Sequence, residues 1–240
     1  MNFDSYLDKG EALHTLSEKL KTLVDRREQK FFTLALSGGE TAKEMFEFWG
    51  KRYAKKITWR NVKFFWVDEC CVAPDNNESN FKLADENFFK PLKISPKNVF
   101  RIKGEEPPDC EAKHYSQICL NATTSLTNLP DFDCTILGTC ANGHTASIFH
   151  HNIPSTKCDS AYVVTENPIT KQKRITMTAA CILNSHEIFL PVLGTSKANI
   201  LNRAIAEAKA NKITLPISYI LRNSVNLTLF TDALAIQISG

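Results

Sequence analysis

Apolar and polar positions alternate in blocks along this chain, and each block carries a period. From Asp4 to Arg27, the apolar residues Leu7, Leu13, Leu16, Leu20, Leu23 and Val24 recur at close to helical spacing, which predicts an opening helix. Phe31-Phe32-Thr33-Leu34-Ala35-Leu36 is a short apolar run cut off by Ser37-Gly38-Gly39, the pattern of a buried strand entering a tight turn. Met45, Phe46 and Trp49 then fall on one helical face. Val62 to Val67 forms the next strand, closed by the polar stretch Asp68 to Ser79, and Ser79 stands where it can cap a helix reaching Phe89.

The second half repeats the alternation. Asn98 to Ile102 is a further strand candidate, Asp109 can cap a helix that runs to Leu120, and Phe132 to Leu137 is a strand entering the glycine-bearing loop Gly138 to Gly143. Strands at Tyr162–Val164, Arg174–Thr178, Ile188–Leu193 and Leu227–Phe230 surround a helix from Ser196 to Ala210. Apolar strands alternating with helices predict an α/β fold with a mostly parallel sheet flanked by helices. No internal repeat occurs and no linker is richer than Glu106-Pro107-Pro108, so residues 1–240 read as a single domain.

Composition narrows the function. The 240 residues are 43% hydrophobic and 23% charged, enough to bury a sizeable core and too apolar for a disordered chain. A net charge of +3 argues against a nucleic-acid binder, and no apolar run has the length needed to span a bilayer. The eight cysteines (70, 71, 110, 119, 134, 140, 158 and 181) form no C-x-x-C pair and no metal-ligand spacing, so no metal or cofactor is expected. Cys134 and Cys181 lie in or beside apolar runs, as small hydrophobes do. Met1 to Lys9 is polar with two acids, unlike a secretory signal, which predicts reduced thiols and a cytoplasmic protein. The sequons at Asn77, Asn121 and Asn226 then read as chance matches.

Ligands of open α/β sheets bind beyond the carboxyl ends of the strands, and three polar loops leave such ends here. In the first, Ser37, Gly38, Gly39 and Thr41 join a strand to a helix. Glycines free the backbone N–H groups, the helix start is electropositive, and two hydroxyls add hydrogen-bonding groups, which together suit a phosphate. There is no G-K-[ST] and no G-x-G-x-x-G, so nucleotides are not indicated, and Glu40 should point outward. The second loop opens on Asp68-Glu69, either acid–base groups or helix-capping ones. In the third, His144 follows a glycine turn at an expected helix start, where a lowered pKa would favour the neutral imidazole of a general base. His114, His150, His151 and His186 lack such a setting and read as surface residues.

These segments in order resemble the 6-phosphogluconolactonases, relatives of the glucosamine-6-phosphate deaminase/isomerases with a modified Rossmann-like fold. The resemblance is carried by Leu36-Ser37-Gly38-Gly39-x-Thr41, Phe65-Trp66-Val67-Asp68-Glu69, Val72-x-Pro74-Asp75 with Ser79-Asn80, Gly143-His144-Thr145-Ala146-Ser147-Ile148-Phe149, Arg174-Ile175-Thr176-Met177-Thr178 and Gly194-Thr195-Ser196-Lys197-Ala198. It implies a lactone of a sugar phosphate as substrate, with no nucleic-acid or membrane partner. His144 would be the base and Asp68 would hold sugar hydroxyls or orient His144. Gly138–Gly143 N–H groups would face the oxyanion, and Ser37, Gly38, Gly39, Thr41, Arg174 and Lys197 would grip the phosphate. The acid that deaminases carry after Gly-His is absent from Thr145–Phe149. Cys70 and Asn142 stand where lactonases usually have Arg and Asp, Cys140 replaces a usual Gly, Ala42 a usual Pro, and His150-His151 a usual Pro-Gly. A deaminase/isomerase and a non-catalytic sugar-phosphate binder are the alternatives.

Overall fold

The computed structural model of the chain describes residues 2–28, 31–157 and 159–235. Cys158 lies outside the described residues, as do Met1 and the last five positions. In chain order the elements are β1 (Asn2–Tyr6), α1 (Lys9–Arg26), β2 (Phe32–Leu36), α2 (Glu40–Phe48), β3 (Val62–Trp66) and β4 (Asp68–Cys70). Next come α3 (Asn80–Ala84), continued through a π-turn into α4 (Lys90–Leu92), then α5 (Pro108–Ala122), β5 (Cys134–Ile136), β6 (Tyr162–Glu166) and β7 (Lys173–Met177). The chain closes with α6 (Ala179–Leu183), β8 (Ile188–Val192), α7 (Ala198–Ala210), α8 (Pro216–Asn223) and β9 (Leu227–Asp232).

Six strands form one parallel sheet in the order β1-β9-β8-β5-β2-β3, and β4-β7-β6 form a small antiparallel sheet at its carboxyl edge. The central strands β2, β8 and β9 are buried along their whole length, which is why β2 and β8 read as largely apolar runs rather than alternating ones. Adjacent parallel strands β8, β5, β2 and β3 emit their carboxyl-end loops side by side, and this is what brings the candidate loops together. No described helix is long and apolar enough to cross a membrane.

Several expectations need correction. The opening helix does not start at Asp4: Asn2–Tyr6 pairs with Thr228–Asp232 as an edge strand, and Leu7 is 84% exposed. The helix begins only where Asp8 accepts the Glu11 N–H at 2.9 Å and caps it. Asp68–Cys70 is strand rather than loop, because it pairs with Arg174–Thr176. The Asn98–Ile102 candidate reduces to a 3-10 turn and one bridge between Val99 and Phe64. Pro107, not Asp109, precedes α5; Asp109 sits in its first turn, where a carboxylate suits the helix dipole. Helices α6 and α8 were not expected; each is under nine residues and too short for a clear period. Ser79 does cap α3, accepting the Lys82 N–H at 3.1 Å.

An aromatic cluster packs against β3. Phe88 is fully buried, and its ring lies within 6 Å, centroid to centroid, of Phe46 (5.9 Å), Trp49 (5.4 Å), Trp59 (4.8 Å), Phe64 (5.6 Å) and Phe89 (5.4 Å). Aromatic rings in this arrangement gain both buried area and edge-to-face contacts. Phe88→Ala is therefore expected to lower unfolding free energy by about 3–5 kcal/mol in urea titration; a loss below about 1 kcal/mol would show that this cluster is not structural.

Candidate active site

The three loops converge on a cleft of about 390 Å³. Its walls include Ser37, Gly38, Gly39 and Thr41 from the first loop, Asp68 and Asn80 from the second, Gly138 and His144 from the third, and Arg174 and Lys197 from later segments. Asn142, which is exposed and not among the lining residues, hydrogen-bonds His144. All nine residues singled out from sequence thus gather at one place.

The first loop leaves β2 and enters α2. Gly39 holds φ +90°, a conformation that side-chain-bearing residues rarely adopt, and no side chain caps α2. The first N–H groups of the helix are therefore left for a ligand, as at an anion site. The Ser37 hydroxyl accepts from the Gly138 N–H at 3.2 Å, which ties the first loop to the third and leaves its own proton free to donate. Lys197, delivered by the turn after β8, donates from Nζ to Thr41 Oγ1 at 2.5 Å. Burial pulls the pKa of this lysine below its usual value. Glu40 is exposed at the rim.

The second loop splits its two acids between two tasks. Glu69, 2% exposed, accepts from the N–H groups of Cys70, Asn80 and Phe81 at 2.8 Å each and from the Ser79 hydroxyl at 3.0 Å. It anchors the start of α3, which is the capping reading. Burial pushes its pKa up to about 7 against those four hydrogen bonds. Asp68 points into the cleft wall, where Oδ2 accepts from Ser147 Oγ at 2.6 Å and pairs with the Arg174 guanidinium at 3.4 Å. It makes no hydrogen bond to His144. Cys70 stands opposite Arg174 in the ladder, and burial pushes its thiol up to about 12, so it is neutral where lactonases usually place a charge.

The third loop fixes His144. Asn142 Oδ1 lies 3.2 Å from the His144 backbone nitrogen and 2.6 Å from its Nδ1. A backbone N–H can only donate, so the atom facing it is the amide oxygen, and Nδ1 must donate to that same oxygen. Nε2 then carries the lone pair. Phe149 packs on the imidazole at a centroid distance of 5.1 Å. Residues 144–149 form a tight turn, with Ile148 N–H donating to Thr145 O at 3.0 Å, and the 3-10 helix begins only at His150. A helix start therefore does not set the His144 pKa. Burial lowers it, Asp68 pulls it back up, and Arg174 lowers it further.

The loop amides are less available than the sequence suggests. Gly138 N–H donates to Ser37, Cys140 N–H to His144 O and Gly143 N–H to Cys140 O. Ala141 lines the cleft, and its N–H has no protein partner among the described residues. Sequence reading gave no role to Ser147 or Asn80, although both lie in the quoted motifs. Their function as hydrogen-bonding partners of Asp68 depends on the antiparallel sheet, which no local pattern announces.

The profile of the glucosamine-6-phosphate isomerases/6-phosphogluconolactonase family matches residues 8–229. The 6-phosphogluconolactonase of Treponema pallidum is 38% identical over 183 residues, covering 76% of this chain and 76% of that protein. The chain belongs to this family. The 6-phosphogluconolactonase of Haemophilus influenzae is 33% identical over 208 residues, covering 85% of the chain and 86% of that protein. The crystal structure of 6-phosphogluconolactonase from Thermotoga maritima superposes with a TM-score of 0.80 at 26% identity, covering 96% of this chain and 99% of that one.

The hydrogen-bond geometry gives a direct expectation for titration. Following the His144 imidazole resonances by NMR should place its pKa below the ordinary value of about 6.5. Asn142→Asp should move it upward, since a carboxylate at that position stabilises the imidazolium. A wild-type value above 6.5, or no upward shift in the variant, would contradict the burial argument.

Proposed function

We propose that the chain hydrolyses 6-phospho-D-glucono-1,5-lactone to 6-phospho-D-gluconate, a step of the oxidative pentose phosphate pathway. The observation that carries this reading is the cleft itself, with an uncapped helix start and Lys197 beside a histidine whose Nε2 is left as a base. The named relatives support the same activity. The seven described cysteines are free thiols, which fits a reducing compartment, and we place the protein in the cytoplasm.

In this mechanism the phosphate sits on the N–H groups and hydroxyls of Ser37, Gly38, Gly39 and Thr41, with charge from Lys197 and Arg174. His144 Nε2 takes a proton from water as the water oxygen bonds to C1. The carbonyl electron pair moves to oxygen, and the resulting oxyanion meets the Ala141 N–H and the positive field of Arg174. Collapse breaks the bond between C1 and the ring oxygen, and the imidazolium returns its proton to that leaving oxygen. Asp68 holds sugar hydroxyls and, through its field, favours the imidazolium. The deaminase alternative lacks an acid in Thr145–Phe149. Asn142 orients the ring without adding charge, so the base works at less than full strength.

Three outcomes test this reading. The purified chain should accelerate lactone hydrolysis well above the spontaneous rate and release no ammonia from glucosamine 6-phosphate; a protein that binds 6-phosphogluconate without turnover would be a sensor instead. Lys197→Ala and Arg174→Ala should each weaken 6-phosphogluconate binding in calorimetry by about 1.5–3 kcal/mol; wild-type affinity in both would remove them from the phosphate site. Asn142→Asp should raise kcat/KM roughly tenfold, a modest figure because this position is exposed and screened. An unchanged or lower kcat/KM would mean that the loop compensates for the missing charge in another way.

A further inference from the structure

Asn80 is the first residue of α3, and its backbone and side chain are bound to different parts of the cleft. Its N–H and that of Phe81 donate to the Glu69 carboxylate beside the Ser79 hydroxyl, so the turn that carries Asn80 is fixed from β4 without its side chain. The side chain so delivered lies in the cleft wall between the phosphate loop and Asp68. Nδ2 donates to the Asp68 carbonyl at 2.8 Å and lies 3.5 Å from the Asp68 carboxylate oxygen Oδ1. On the other side the amide presses on Gly38. A Cβ placed on Gly38 would fall 1.8 Å from Asn80 Oδ1 and 2.3 Å from Cγ, far inside any allowed contact. Gly38 is glycine because Asn80 occupies the space, while Gly39 is the position whose backbone torsion requires it.

We infer that Asn80 is a positioning residue: it latches Asp68 to the phosphate loop, holding the two ends of the substrate site at a fixed separation. The inference rests on the lactonase reading for its kinetic consequence, whereas the latch is a property of the fold. The other contacts of the Asp68 carboxylate, from Ser147 and Arg174, both reach Oδ2 and come from the third loop and β7. Asn80 is therefore the partner that ties this acid to the strand end where the phosphate is expected. A lactone bound by its phosphate presents C1 at a distance set by its own ring, so any play between the loop and Asp68 appears as misplacement at the reacting end.

The test is a double-mutant cycle between Gly38→Ala and Asn80→Ala. Asn80→Ala keeps the Glu69 bonds, since these use backbone N–H groups, so α3 is retained. It should lower kcat on the order of 10²-fold through misplacement, with KM held within about twofold because no phosphate contact is removed. In the wild-type background Gly38→Ala should damage both kcat and the urea midpoint. In the Asn80→Ala background the closest remaining contact is the residue-80 Cβ at 3.0 Å, which a small shift relieves, so the same substitution should cost little. A raised KM with unchanged kcat in Asn80→Ala would make Asn80 a substrate ligand and overturn the inference. Equal costs of Gly38→Ala in both backgrounds would overturn it too. If the wild type does not exceed the spontaneous rate, the lactonase reading falls, and the urea-midpoint cycle alone then decides the latch.

Discussion

The Asp68 carboxylate is the node on which the cleft is built. It is 4% exposed, so it cannot rely on water, and each of its contacts comes from a different element. Ser147 brings the third loop to it and Arg174 the antiparallel sheet, while Asn80, bonded to the Asp68 main-chain carbonyl and 3.5 Å from Oδ1, brings α3 and, through contact with Gly38, the phosphate loop. Removing any one of these groups leaves a buried polar atom short of a partner, which is costly. The Asp68 charge reaches His144 without touching it and partly offsets the effect of burial on the imidazole. Packing and chemistry are coupled at this residue, because the groups that satisfy the carboxylate also form the walls of the site.

The departures from the usual lactonase pattern divide by their consequences. Cys70 replaces a charge with a buried neutral thiol, yet the neighbouring strand places Arg174 directly across from it, so the wall keeps a cation. His150 and His151 stay at the surface, with His150 Nδ1 against the Thr214 carbonyl. Asn142 is the departure that reaches the His144 ring. It retains the geometric function of an acid, selecting which imidazole nitrogen bears the proton, and gives up the electrostatic one.

The parallel sheet was legible because β2 and β8 are buried along their whole length and so appear as largely apolar runs. The convergence of the three loops followed from strand order and needed no side-chain information. What the sequence concealed was non-local. β1 is five residues paired with the last strand, and nothing near Asn2–Tyr6 signals that partner. The β4–β7 pairing joins Asp68 to Thr176 across nearly half of the chain, which is why Ser147 and Asn80 carried no visible role. The expected helix at His144 failed because Thr145 turns the chain back onto itself and accepts from Ile148. The expected direction of the pKa shift survived, but its cause is burial rather than a helix dipole.

If His144, oriented by Asn142, acts on the C1 end of a substrate held elsewhere by its phosphate, removing its imidazole must cost rate and spare binding. The most direct measurement is lactone hydrolysis by His144→Ala beside calorimetry of the same variant with 6-phosphogluconate. The expected result is a fall in kcat of about 10²–10⁴-fold, the span of a lost general base, with product affinity within about twofold of wild type. Undiminished kcat would contradict it, and so would a loss of affinity large enough to explain the lost rate.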